Sequence, residues 1–242
     1  MEYRQHNIRF LTILLTLVAG YCDTLTFVAA NKIFSAHVTG NFIIFAYQFV
    51  AGANVRPWAS LLTFPVFLIS IITGGWIINR FSNPNFLFFC EGIILLLGGN
   101  LIYWSGITAN SEMTALKYLV TMMVVFAMGI QNAAGKIFAN ETYGPTTVMT
   151  GNVTEFALHI ELYWNSGLTD IELRSTIVKG MITMSSFLTG CVIGAYAGKH
   201  LGLAGIVLPG IIMIIVFFCS KYWGVMLHYE GSFNEEKVIK GP

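Results

Sequence analysis

Few residues in this chain have side chains that could do chemistry, and most of them sit beside or inside apolar runs. Asp23 closes "GYCD" within a run that continues through "TLTFVAA". A charge at that depth costs about 2.5–3.5 kcal/mol to insert, so it normally faces a cavity, a partner or a pathway. The plainer reading is a hydrogen bond to a neighbouring helix. "GIQN" (129–132) places Gln131 and Asn132 in a similar setting. They offer amide donors and acceptors without charge. A carboxylate from one helix facing an amide pair from another would suit a proton- or cation-coupled site. His37 titrates near neutral pH, although a lone histidine is more often an interfacial polar group. Glu91 lies a turn or two inside another run, where a proton relay and a packing hydrogen bond suit it equally.

Two stretches end in the same polar triplet, "SAHVTGN" (35–41) and "TTVMTGN" (146–152). Threonine or asparagine ahead of an apolar run reads as a helix N-cap, and the glycine permits a sharp break. A helix start at membrane depth offers unpaired N–H groups and a partial positive charge, which favours an anion or a polar ligand. An ordinary cap at the membrane surface is the plainer reading, and the duplication favours the functional one. Asp23, Thr39, Asn41, Gln131, Asn132, Thr150 and Asn152 are therefore the candidate solute-binding residues. Asp23, His37 and Glu91 are the candidates for proton coupling. Glu155 and His159 share a helical face with Glu161 nearby, but two such residues do not make a metal site. The four cysteines lie singly in apolar runs, without metal spacing or a disulfide framework. No nucleophile elbow, phosphate loop, metalloprotease helix or dinucleotide fingerprint occurs, and no cofactor is indicated.

The elements that must position these residues are membrane helices. The 242 residues are 55% hydrophobic and 10% charged, against about 25% charged in a soluble domain. The net charge of +1 gives no reason to expect nucleic acid as a partner. Six runs are long enough to cross about 30 Å of hydrocarbon as helix: roughly 8–30, 58–79, 85–106, 115–135, 177–198 and 202–222. Two shorter segments, 41–52 and 152–164, each follow a Thr-Gly-Asn and read as re-entrant or broken helices. The expected fold is all-α, a polytopic membrane helix bundle of six full-length helices plus two short or broken ones. It forms a single membrane domain, with a solvated tail over 223–242. Lys and Arg fall mostly on the side of the N-terminus whether six or eight segments cross, so both termini are expected in the cytoplasm.

The chain also reads as two related halves, about 8–106 and 115–222. "GYCD" answers "GIQN", and the two Thr-Gly-Asn stretches answer each other. "FLISIITGG" (67–75) answers "FLTGCVIGA" (187–195), and "EGIILLL" (91–97) answers "PGIIMII" (209–215). If the short segments cross, the halves are parallel; if they turn back, the halves are inverted, a recurring transporter plan. Gly190, Gly194 and Gly198, with Ser70 and Gly74 at the matching positions, are small residues four apart that let helix backbones touch. They serve packing within the chain or against a second copy.

"AGYCD…HVTGN" followed by "MGIQNAAGK…TTVMTGN" resembles the YoaK family of small bacterial membrane proteins, over about residues 8–222. The resemblance implies a bacterial inner-membrane protein with about six spans and supplies no substrate or activity. The acidic insert "ANETYG" departs from the short basic-polar turn expected there. The reading that follows is an inner-membrane carrier of a small polar or anionic solute, with a midplane site between two repeats. Its partners are the lipid bilayer and the solute. The rivals are a membrane-embedded enzyme on a lipid-type substrate and a non-catalytic partner protein.

Overall fold

A computed structural model of the chain describes residues 2–52, 57–81, 83, 85–139, 142–144 and 146–222. The tail expected to be solvated, 223–242, lies outside the described residues, as do Asn140 and Glu141 of the acidic insert. The described residues fold into helices joined by turns: α1 (Glu2–Ala29), α2 (Gly40–Ala51), α3 (Trp58–Arg80), α4 (Phe86–Trp104), α5 (Ala115–Ile137), α6 (Thr150–Asn165), α7 (Ile171–His200) and α8 (Val207–Tyr222). A 3₁₀ turn, Gly202–Ile206, leads into α8.

Among the described residues, five stretches are long and apolar enough to cross a membrane, rather than the six expected. The difference lies at the C-terminal end. Ile171–Ser220 runs as one apolar stretch through the 3₁₀ turn, and α8 has only 16 residues of its own. Gly202 makes the corner between α7 and α8 at φ +60°, a backbone region that favours glycine. The outer surface is apolar too: Ile72, Leu188 and Val192 are each more than 60% exposed. So large an apolar surface is what a bilayer covers.

Small residues decide which helices meet and in which direction. A Cβ at Gly190 would stand 2.2 Å from the Leu17 carbonyl oxygen, and one at Gly194 would stand 2.3 Å from that of Tyr21. Gly198 packs on Leu25 in the next register. Helices α1 and α7 are therefore parallel and in backbone contact. Ser70 packs on Gly129 and Gly74 on Ala133 and Ile130, so α3 and α5 are parallel as well. By contrast, Phe89 meets Phe217, while Gly92 meets Ile214 and Gly99 meets Val207. Helices α4 and α8 are therefore antiparallel. All the small residues singled out in the sequence make their contacts within the chain.

The short helices fold back on the long ones. Asn41 reaches Thr63 and Gln48 reaches Ser60, so α2 is antiparallel to α3. Phe156 covers Gly180, and only the short 166–170 connection separates α6 from α7, so the two pack as an antiparallel helical hairpin. The buried apolar centre, including Leu15, Val18, Leu25, Leu95, Val124, Met128, Met213 and Val216, is formed by α1, α4, α5 and α8.

Candidate functional site

The first Thr-Gly-Asn element wraps around Asp23. Beyond the end of α1 the chain turns through Asn31 and Lys32, both at positive φ, and returns along the helix it has just left. This brings the backbone N–H groups of Ala36 and His37 onto Asp23 Oδ1, at 2.6 and 3.2 Å. The second oxygen, Oδ2, lies 2.7 Å from His37 Nδ1. Asp23 is 3% exposed, so its carboxyl exchanges water for these three partners.

The second element comes in from the other end of α1. Tyr143 N–H donates to Thr12 Oγ1 at 3.3 Å. Gln131 Nε2 donates to the Leu15 carbonyl at 2.6 Å and to Thr146 Oγ1 at 3.4 Å. The segment from Tyr143 thus climbs α1 until the Val148 carbonyl oxygen stands 2.8 Å from His37 Nε2. One imidazole joins the Asp23 carboxyl to the backbone of the other Thr-Gly-Asn element. Phe187 and Phe34 stand edge-on to the ring, at centroid distances of 5.6 and 6.3 Å. The Cys22 and Cys191 thiols lie within electrostatic reach of Asp23.

This geometry fixes part of the proton inventory. A carbonyl oxygen only accepts, so Nε2 must carry a proton. Nδ1 faces a carboxyl, which admits two arrangements. An imidazolium donates to a carboxylate, or a neutral ring accepts from a protonated carboxyl. Either way the pair holds one proton between Nδ1 and Oδ2. Its loss sets a ring lone pair against Oδ2 or, after tautomer exchange, against the Val148 carbonyl. Deprotonation therefore breaks one of the two links. The bond to the Asp23 carboxyl raises the His37 pKa above its ordinary value, burial opposes this, and the Asp23 charge and the Val148 carbonyl add to the rise.

The remaining candidates are placed as follows. Asn41 is fully buried, and its amide is consumed by the Phe34 N–H, the Phe34 carbonyl and Thr63 Oγ1, at 2.8, 2.8 and 3.0 Å. Thr39 is exposed and helical in backbone and caps nothing. The first amides of α2, at Gly40, Asn41 and Phe42, are bonded to the carbonyls of His37, Val38 and Thr39. The expected capped start with free N–H groups is therefore absent from α2, because the preceding residues already coil in a tight 3₁₀ manner. In the second element, Met149 occupies the cap position and Thr150 opens the helix. Asn152 Oδ1 accepts from Met149 N–H at 2.9 Å.

Asp23 does not meet Gln131 or Asn132, the expected pairing across two helices. Gln131 ties α1 to Thr146, and Asn132 is half-buried without a hydrogen bond among the described residues. Glu91 is fully buried on α4, and neither carboxyl oxygen has a partner among the described residues. Glu155 and His159 line a cavity of about 220 Å³ together with Val148, Asn152, Lys179 and Thr183. The cavity thus touches the far end of the histidine link. No cluster of three His, Cys, Asp or Glu side chains suited to a metal occurs among the described residues.

A family model, described as a protein of unknown function (DUF1275), matches residues 11–219. The chain belongs to the DUF1275 family. No curated protein and no solved structure matches the chain. For this DUF1275 member, the residues missed in the sequence are those that act through their backbone, the Val148 carbonyl and the Ala36 amide. One signal was present: Val148 stands four residues before Asn152, as His37 stands four before Asn41.

Proposed function

We propose that the protein is a carrier of a small polar or anionic solute in a bacterial cytoplasmic membrane, coupled to the proton held between His37 and Asp23. The observation that carries this reading is the single imidazole that joins Asp23 to Val148. Its two links survive together only while that proton is present. A proton-dependent tie between two elements is what a coupled carrier needs to change which side is open.

The packing directions support six crossings with inverted halves. If all eight helices crossed, α4 and α8 would run the same way, and they run oppositely. If only one short helix crossed, α1 and α7 would be antiparallel, and they are parallel. With α2 and α6 turning back, every observed direction follows. Helix α8 with its 3₁₀ turn extends about 34 Å, enough for the hydrocarbon core. The contacts also recur in pairs. Gly20 meets Phe187 as Gly129 meets Phe67, and Gly194 meets Tyr21 as Gly74 meets Ile130. Gly92 meets Ile214 as Gly210 meets Leu96. These are the partners that the matched stretches of the two halves require. The reciprocal Gly92 and Gly210 contacts support a twofold axis between α4 and α8, as in an isologous interface. On this reading His37 and Val148 are equivalent positions that meet on the axis, and the resemblance to the YoaK proteins extends over both halves. The basic residues near the starts of α1 and α7 favour both termini in the cytoplasm.

The direct test is uptake into proteoliposomes across a panel of small polar and anionic solutes, with and without an imposed pH gradient. Native protein is expected to accumulate at least one solute in response to the gradient, and Asp23→Asn to lose that response. If no solute moves, or if the variant keeps the native response to the gradient, the mechanism fails.

A further inference from the structure

A second cavity, of about 520 Å³, opens between the start of α1, the Thr142–Tyr143 turn and the start of α7. Three of its lining side chains are cations, Arg9, Arg174 and Lys179, and Thr142, Tyr143 and Ser175 add hydroxyl groups. None of the described lining residues is acidic. The only salt bridge among the described residues is that of His37 with Asp23, so the three cations have no anionic partner there. Lys179 Nζ instead stands 5.6 Å from the centroid of the Tyr143 ring, held over an aromatic face that attracts a cation. The remaining wall is apolar, with Ile8, Ile171, Val178 and Ile182.

Like charges that face one another across a cavity repel, and counter-ions in bulk water offset this only in part. Three cations gathered around one cavity, with no acid among its described lining residues, favour an anion there. Two guanidinium groups supply planar forks of donors that fit a phosphate bidentately, and the ammonium adds a point charge. The height of the cavity narrows the source. It lies where two membrane-length stretches begin, near Asn7 and Ile171, so its cations sit at headgroup level and its apolar wall continues inward.

We infer that the Arg9–Arg174–Lys179 cavity is a binding site for a phosphate-bearing anion, either a phospholipid headgroup or free phosphate. The site does not depend on the carrier reading, since it requires only three unpaired cations around one cavity. It adjoins the smaller cavity, because Tyr143 and Lys179 line both. An anion at Lys179 would therefore stand one cavity away from Val148 and the histidine link.

The test uses the full chain purified in neutral detergent. One arm adds phosphatidylglycerol or phosphatidylcholine in mixed micelles and counts bound lipid by native mass spectrometry. The other titrates inorganic phosphate against chloride at matched ionic strength and follows the thermal midpoint. The variants are Arg174→Gln, the combination of Arg9→Gln, Arg174→Gln and Lys179→Gln, and Lys199→Gln as a distant control. Specific binding of phosphatidylglycerol assigns the headgroup, and specific binding of phosphate assigns the free ion. Each removed cation is expected to weaken the binding by about tenfold, while Lys199→Gln leaves it unchanged. Arg174→Gln alone serves if the combined variant elutes aggregated. The inference is overturned if neither ligand binds in preference to its control. It is equally overturned if a well-folded Arg174→Gln variant binds as the native chain does.

Discussion

His37 Nε2 lies 2.8 Å from the carbonyl oxygen of Val148, and each of the two residues stands four places ahead of the asparagine of its own Thr-Gly-Asn. The two copies of the motif thus touch at matching positions, yet the contact is chemically unequal. One side brings an ionisable ring that is tied to a carboxyl, and the other brings only backbone. The proton chemistry of the pair follows from that inequality.

Asp23→Asn isolates the proton from the geometry. The amide oxygen can still accept from the Ala36 and His37 N–H groups, and the new NH₂ can donate to His37 Nδ1. The ring is then held neutral with its proton on Nε2, facing Val148. The variant is expected to fold with a stability within about 1 kcal/mol of native while losing any response to a pH gradient. Thermal unfolding and gradient-driven uptake are the two readouts.

The pH dependence of stability has a definite sign. His37 is raised above its ordinary 6.5 by the Asp23 hydrogen bond, so folding binds a proton more tightly at this site. The stabilisation is complete below 6.5 and is lost as pH rises through the higher folded value. The thermal midpoint of native protein should fall over that window on going up in pH. His37→Gln should flatten the profile there, and an equally steep fall in the variant would remove His37 as the cause.

The parallel contact of α1 with α7 should tolerate no added methyl group. Gly194→Ala puts a Cβ 2.3 Å from the Tyr21 carbonyl oxygen, whereas Gly75→Ala meets nothing within 4 Å. The first should cost about 1–3 kcal/mol and the second should not destabilise. Unfolding of the two variants side by side in the same detergent checks this.

On the proposed six crossings, the ends of the two short helices lie on opposite faces of the membrane. With the native cysteines replaced, Gly52→Cys should react with an impermeant thiol reagent from the periplasmic side. Gly167→Cys should react only from the cytoplasmic side. Reaction of both from the cytoplasm would restore eight crossings.

The sequence by itself determined the class. Its low charge, its long apolar runs and its small residues four apart specify a helical membrane bundle, because hydrocarbon admits few other structures. It also singled out Asp23, His37 and the two Thr-Gly-Asn stretches, since polar groups in apolar runs are costly enough to need a reason. Partners were another matter. Asp23 faces His37 rather than Gln131 or Asn132 because the chain after α1 folds back along that helix, and periodicity carries no information about such a return. Asn41 and Asn152 look alike as residues, yet one is spent on Phe34 and Thr63 and the other holds a helix start beside a cavity. Charge counting left six and eight crossings tied. The antiparallel run of α4 against α8 favours the six proposed, because direction belongs to a pair of helices in space. Only the tertiary structure brought Arg9, Arg174 and Lys179 around one cavity, from segments more than 160 residues apart in sequence.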